Sequence, residues 1–424
     1  MRSLPLKNFI WNNAVVFIFL NSAGALNYIF QIILGRSLSP EHYGSFNSLL
    51  AISSLITTPI TILHLVFSRF IAGITEHKLE QVKTLLTKSF KAILAIAFCI
   101  VLVGLLSAQW LKDFLHIEST LLIFFMLIAA SFSTFQQVLL TVCEGMQRFF
   151  SLGIIAGGGS LARVLFVLLF VVILKWGIEG GLLALSFATL SAVAYGIWQL
   201  RDVFKSHPVE LPSNSFLEMA RFSIPSFLMI TMVSIICNID IVLARHYCPP
   251  DQAGYYATAS ILGRIAFFLP SSLLMVLFPS VAKATVSGSN DSHYLLISLG
   301  LTFILSGVVF VVFFIAGQTI VQLFYGEQYY SAVPILKIVS PAMGLLAMSH
   351  VIFSYNMARS EFGFLRPLFG GVILMLSLVF LYHGSAETIA WVLLFSTATI
   401  FFGTVLNRVY LSFFHPKSYS LFFK

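Results

Sequence analysis

Of the chain's 424 residues, 58% are hydrophobic and only 9% charged, with 43 phenylalanines; an ordinary soluble domain is about 45–50% apolar and about 25% charged. Polar surface is too scarce to cover a soluble protein of this length, and apolar runs recur along the whole chain, which excludes one large buried core. The net charge of +8 has almost no soluble surface to sit on, which excludes nucleic-acid binding and points to membrane topology and anionic lipid.

A bilayer core of about 30 Å takes about 20 apolar residues of helix. In chain order, such runs fall at roughly 10–35, 45–68, 90–109, 120–142, 151–174 and 181–200, then at roughly 222–244, 255–278, 294–316, 333–356, 367–383 and 388–407. The first is too long for the core of a secretory signal and is expected to be a span. The third, sixth and eleventh are the short or ambiguous ones. All are continuous rather than alternating, as a membrane barrel would require. The expected fold class is an all-α membrane protein of about twelve transmembrane helices. Ahead of the third run, His77–Lys91 sets Leu79, Val82, Leu85 and Leu86 on one face and lysines elsewhere, the pattern of an interfacial amphipathic helix. The polar stretch Arg201–Ser215, with Pro208 and Pro212, reads as a linker, dividing the chain into six-helix halves at 1–205 and 206–424.

Basic residues orient the spans. With the N-terminus in the cytoplasm, seventeen of the 24 Lys and Arg fall on the inner side. Only Arg36, Lys112, Lys175, Arg245 and Lys337 fall on the outer side, and Arg163 and Arg264 lie within spans. This positive-inside bias places both termini in the cytoplasm and the protein in the cytoplasmic membrane. Cys99, Cys143 and Cys237 lie in or beside spans and Cys248 in an outer loop, so no disulfide framework is expected, and no metal-ligand spacing occurs.

The sequence says one thing twice. Pro40-Glu41-His42-Tyr43-Gly44-Ser45-Phe46 matches Pro250-Asp251-Gln252-Ala253-Gly254-Tyr255-Tyr256 in order and spacing, half a chain length apart. Each copy is placed in the outer loop between the first and second helix of its half, with Leu34-Gly35-Arg36 and Leu243-Ala244-Arg245 upstream. Pro59 and Pro270 fall in the middle of the second and eighth spans, where proline bends a membrane helix. The motif's chemistry is that of a turn, with proline setting φ and glycine allowing positive φ. Its value is as a mark of duplication: two six-helix bundles in one orientation, a plan in which transporters handle substrate between the halves, here around an expected central cavity.

Leu-Gly-Arg closing the first helix, followed by Leu38-Ser39-Pro40-Glu41 and Tyr43-Gly44, resembles the polysaccharide-biosynthesis branch of the multidrug/oligosaccharidyl-lipid/polysaccharide exporter superfamily. So do Glu144-Gly145-Met146-Gln147-Arg148-Phe149 after the fourth helix, Asn238, Asp240 and Leu243, and Leu323-Phe324-Tyr325-Gly326-Glu327 with Tyr329. The resemblance implies flipping of undecaprenyl-diphosphate-linked oligosaccharide from the inner to the outer leaflet, with polysaccharide polymerase machinery as a partner.

Such a head group needs fixed positive charge inside the membrane. A charge at mid-bilayer costs about 2.5–3.5 kcal/mol by insertion scales, so intramembrane arginines face a cavity or a partner, and their planar fork suits phosphate. Arg163, one turn after Gly157-Gly158-Gly159-Ser160, and Arg264 are the expected substrate contacts, with Arg36, Gln31 and His64 as further candidates; the alternative for each is helix–helix hydrogen bonding. Asp240 either binds a coupling proton or Na⁺ or pairs with Arg264 or Arg245, and pairing is the favoured reading. Its first-half counterpart, counted back from the arginine, is Gln31. Glu144 and Arg148, four apart, would brace a helix end. No cofactor is implied.

Two other function classes are alternatives. A cation-coupled multidrug exporter of the same superfamily would want carboxylates within the first bundle, and the first six spans hold none. A membrane glycosyltransferase or polymerase would want a sizeable catalytic loop, and the longest connection offers only Asp202, Glu210 and Glu218. The chain reads as a non-enzyme.

Overall fold

The computed structural model describes residues 6–60, 67, 71, 78–205, 209, 213–273, 277, 281 and 292–414, with side chains from residue 19 onward apart from 20, 78, 213–222, 272–273 and 410–414. His64, Arg69, Pro208 and Pro212 fall outside these residues. The described chain is helical throughout and forms two units, Met1–Ile224 and Pro225–Lys424. Eight helices among the described residues are each long and apolar enough to cross a membrane, and Leu365–Leu381 is a shorter apolar one.

The first unit contains α1 (Leu6–Ser37), α2 (Pro40–Thr57), α3 (Lys78–Leu106), the short α4 (Ala108–Leu115), α5 (Thr120–Gly145), α6 (Phe149–Ile173), α7 (Gly177–Gln199) and the short α8 (Arg201–Lys205). Within it α5 packs on α2, α3 and α7, while α6 packs on α7 and α1. The second unit takes most of α9 (Ser213–Tyr247), then α10 (Pro250–Gly263), α11 (Ile265–Phe268), α12 (Ser292–Phe324), α13 (Ala332–Ala358), α14 (Leu365–Leu381) and α15 (Ala386–Phe414). Here α13 packs on α10, α12 and α15, and α14 packs on α15. The fourth helix of each half is thus the hub, holding the second, third and sixth. One packing scheme serves both halves.

The duplicated motif corrects one expectation. It is not loop: Pro40 and Pro250 are the first residues of α2 and α10, with Glu41 and Asp251 in the first turns. Proline at the first helical position loses no bond, and an acid there favours the helix dipole. Gly44 and Gly254 lie inside these helices and neither has positive φ. The prolines behave as expected. α2 tightens into a 3₁₀ turn at Thr58–Ile60, around Pro59, and α11 does so at Leu269–Leu273, around Pro270. A proline cannot donate to the carbonyl four residues back. For Pro270 that carbonyl belongs to Ala266, and the Ser306 hydroxyl of α12 donates to it at 2.8 Å.

The stretch His77–Lys91 is also corrected. Lys78 onward forms the first turns of α3 rather than a separate interfacial helix. Val82, Leu85 and Leu86 bury against Leu139, Val142 and Val193 inside the first unit, so the apolar face meets protein instead of lipid. Lys83 and Thr84 on the same turns bond to the carbonyls of Phe204 and Val209 in the connecting segment. The 29-residue α3, short by sequence, is a full span because this extension belongs to it.

Both units turn the same corner after their hub helix. Gln147 (φ 58°) and Ser360 (φ 60°) are left-handed, which costs a non-glycine residue roughly 1–2 kcal/mol. The next amide closes each corner, Arg148 N donating to Cys143 O and Glu361 N to Asn356 O, both at 2.8 Å, the Schellman arrangement of helix ends. Arg148 then clasps Asp202 just beyond α7 with both Nη atoms, and Glu361 clasps Arg408 on α15 and Arg359 beside it.

Candidate functional site

Arg163 lies in the middle of α6, in a nine-residue α-helical stretch (Gly159–Val167) between two π-helical stretches, Ile154–Gly158 and Leu168–Ile173. π-turns mark functional positions in otherwise regular helices. The glycines allow a close approach: a Cβ at Gly153 or Gly157 would meet the Phe19 ring of α1 at 2.7 or 3.1 Å. Gln136 of α5 donates to the Ile155 carbonyl in the first π stretch at 3.3 Å. So α1 is drawn against α6, and Asn27 of α1 meets the arginine. Arg163 Nη1 donates to Asn27 Oδ1 at 2.7 Å, and its guanidinium lies 5.9 Å from the centre of the Phe30 ring. Its Nε is buried without a hydrogen-bond partner, and no carboxylate pairs with it among the described residues. A cation is held in a span by one neutral amide and an aromatic face.

In the second unit Arg264 occupies the break between α10 and α11. Asp240 of α9 is fully buried. Its Oδ2 accepts from Ser260 at 2.9 Å and Tyr256 at 3.2 Å, while Oδ1 lies 3.6 Å from Arg264 Nη2. That last distance is an ion pair and not a hydrogen bond. Asp240 Oδ1, Arg264 Nε and Arg264 Nη2 all lack hydrogen-bond partners. The favoured pairing of Asp240 is therefore with Arg264; Arg245 instead donates to the Pro250 carbonyl at 3.4 Å.

Gln31, at the matching place in the first unit, accepts from the Tyr43 hydroxyl at 3.0 Å. In both halves a tyrosine on the second helix reaches the same position of the first, but from neighbouring turns: Tyr43 aligns with Ala253, and Tyr256 with Phe46. As site residues Tyr43, Tyr256 and Ser260 carry no charge to mark them in the sequence; for Tyr256 alone there is a signal in depth, since it sits about as far past the turn as Asp240 sits before it. Arg36 is exposed at the end of α1, about two and a half turns beyond the Asn27 that meets Arg163. His350 stacks on Phe267 at 5.4 Å, and buried Asn356 accepts from Arg408 at 3.5 Å. Among the described residues no cluster of His, Cys, Asp and Glu has the makings of a metal site.

Two helical units with one packing scheme make a membrane-protein fold that solved structures of transporters share. The chain superposes on an inward-facing multidrug resistance MATE family transporter of the MOP superfamily with a TM-score of 0.80 at 14% identity, covering 93% of this chain and 96% of that one. It superposes on the lipid II flippase MurJ in an inward closed conformation with a TM-score of 0.71 at 14% identity, covering 94% and 87%. A MOP superfamily transporter from Pyrococcus furiosus gives 0.63 at 12% identity, covering 95% of each chain. Among curated proteins no sequence match is found. The family model described as "Polysaccharide biosynthesis protein" matches residues 10–285, more than half of the chain. The chain belongs to that family, and its fold is that of the MOP exporters.

Proposed function

We propose that this protein flips undecaprenyl-diphosphate-linked oligosaccharide across the cytoplasmic membrane for cell-surface polysaccharide synthesis, with a site open alternately to either leaflet. The observation that carries the reading is Arg163: a guanidinium kept inside a span by the Asn27 amide and the Phe30 ring, with no carboxylate beside it among the described residues and Nε without a hydrogen-bond partner. An intramembrane cation without a counter-ion is costly unless an anion visits it, and a diphosphate is the anion this family's chemistry supplies. Arg264, loosely paired with Asp240, would be a second contact. Gln31 and Arg36 would serve the sugar or the outer mouth.

The test is surface glycan. Arg163→Ala should abolish display while the protein inserts at normal levels, and Arg163→Lys should restore part of it. Full display by Arg163→Ala would overturn the reading. The likeness to a multidrug transporter favours a second reading, cation-coupled drug export; it predicts altered drug susceptibility on deletion with surface glycan intact. Asp240 would then be the coupling residue, with a proton or Na⁺ in place of part of its pairing to Arg264.

A further inference from the structure

α7 presents a continuous exposed stripe. Phe187, Leu190, Ser191, Ala194, Ile197 and Trp198 recur at helical spacing along it, and Arg201 continues the same stripe beyond the helix end. Its large members are all apolar, with Trp198 56% exposed, so within a span of this hydropathy the stripe faces acyl chains. At the stripe's end a cavity of about 280 Å³ opens, lined by Arg148, Trp198, Gln199, Arg201 and Asp202.

The charges in this cavity are not equivalent. Arg148 holds Asp202 through both Nη atoms and also donates to the Gln199 carbonyl at 3.3 Å, so this pair is spent on itself. Arg201 has its guanidinium over the Trp198 ring at 5.3 Å and no polar partner among the described residues. One cation without a polar partner among the described residues, over an exposed tryptophan, therefore stands where a span ends. Tryptophan at that depth sits among lipid head groups.

We propose that this cavity binds the head group of an anionic phospholipid, with the phosphodiester on Arg201 and one acyl chain along the Phe187–Trp198 stripe. A guanidinium held over a ring by its π-face still offers N–H donors that can fork onto phosphate oxygens. The ligand is bilayer lipid rather than transported cargo, and the proposal stands independently of the flippase reading.

The full-length protein, reconstituted in nanodiscs of equal phosphatidylglycerol and phosphatidylcholine and then released into detergent, should retain phosphatidylglycerol preferentially when analysed by native mass spectrometry. Arg201→Ala should lower that retention roughly fivefold, the share of one basic residue near an anionic surface. Trp198→Leu, which keeps the apolar stripe, should lower it by less, and Arg201→Lys should keep most of it. Arg201 is exposed, and the lysine variant controls for folding. Equal retention of the two lipids, unchanged retention in Arg201→Ala, or displacement of the lipid by millimolar inorganic phosphate would each overturn the proposal, the last by showing a site for soluble anions.

Discussion

Arg148 and Glu361 stand at the same place of the same corner in the two units, each closing a Schellman turn with its amide, and they carry opposite charges. Each reaches the last long helix of its half or the short helix that follows it, and the partners are inverted too: Asp202 for Arg148, Arg408 for Glu361. The duplication has kept the clasp and exchanged its ends. An ion pair depends on the product of the charges, so either order of the charges can fasten the corner.

The two clasps should differ in strength. Glu361 is 7% exposed and stands between Arg359 and Arg408, whose Nη2 also donates to the Tyr355 hydroxyl at 3.1 Å. Glu361→Ala leaves two guanidinium groups facing each other with little water, and should cost about 3 kcal/mol or more. Arg148 and Asp202 are 27% and 44% exposed, and Arg148→Ala should cost no more than about 1 kcal/mol. Thermal unfolding of the purified variants in detergent gives the ranking, and equal losses would refute it.

The more exposed of these pairs should also show in acid. The bonds from Arg148 hold the Asp202 carboxyl below its ordinary range, and Asp202 in turn raises Arg148. A carboxyl depressed in the folded state stabilises above its unfolded pKa, about 3.9, and the stabilisation fades as pH falls through the lower folded value. The stability gap between wild type and Arg148→Ala should therefore be constant above about pH 5 and shrink below about pH 4. A gap that widens on acidification would contradict the assignment.

Much of this was legible in the sequence. Twelve apolar runs, the repeat and the two prolines all derive from patterns that hydrocarbon and backbone geometry force on a chain, and they reappear as helices, helix starts and 3₁₀ breaks. Pairings across helices were less legible. Arg148 was expected to brace Glu144 four residues away, yet it clasps Asp202, because a left-handed residue at Gln147 swings the chain off the helix face that makes four-apart neighbours. The apolar face of residues 79–86 carried no mark to tell lipid from protein; the packing of Val82 and Leu85 on Leu139 and Val142 decides it. Arg163 and Arg264 stood out because charge is scarce in spans, but Asn27, Tyr256 and Ser260 are ordinary polar residues until the fold brings them alongside.

Ser306 and Pro270 should be energetically coupled. The hydroxyl satisfies the Ala266 carbonyl that the proline leaves without its helical donor. Ser306→Ala alone should cost about 1–3 kcal/mol, the price of a buried unsatisfied group. With Pro270→Ala in place the backbone can supply the missing bond, and the cost of Ser306→Ala should fall well below 1 kcal/mol. Strictly additive losses in the double variant would show that the serine serves some other purpose.

The pair Asp240–Arg264 separates stability from transport. Asp240 accepts from Tyr256 and Ser260 through one oxygen and faces Arg264 through the other, so Asp240→Ala strands a guanidinium and should cost about 3–5 kcal/mol. Replacing both, as Asp240→Leu with Arg264→Met, removes the charges together and should recover most of that loss, since apolar substitutes of similar volume commonly match a buried ion pair. If Arg264 serves only the fold, the double variant should display surface glycan as well as the wild type. If it meets the diphosphate, the double variant should insert, unfold at a near-normal temperature and yet display none. The proposal for Arg264 requires the second outcome, and glycan staining beside a thermal melt of the same preparation decides between them.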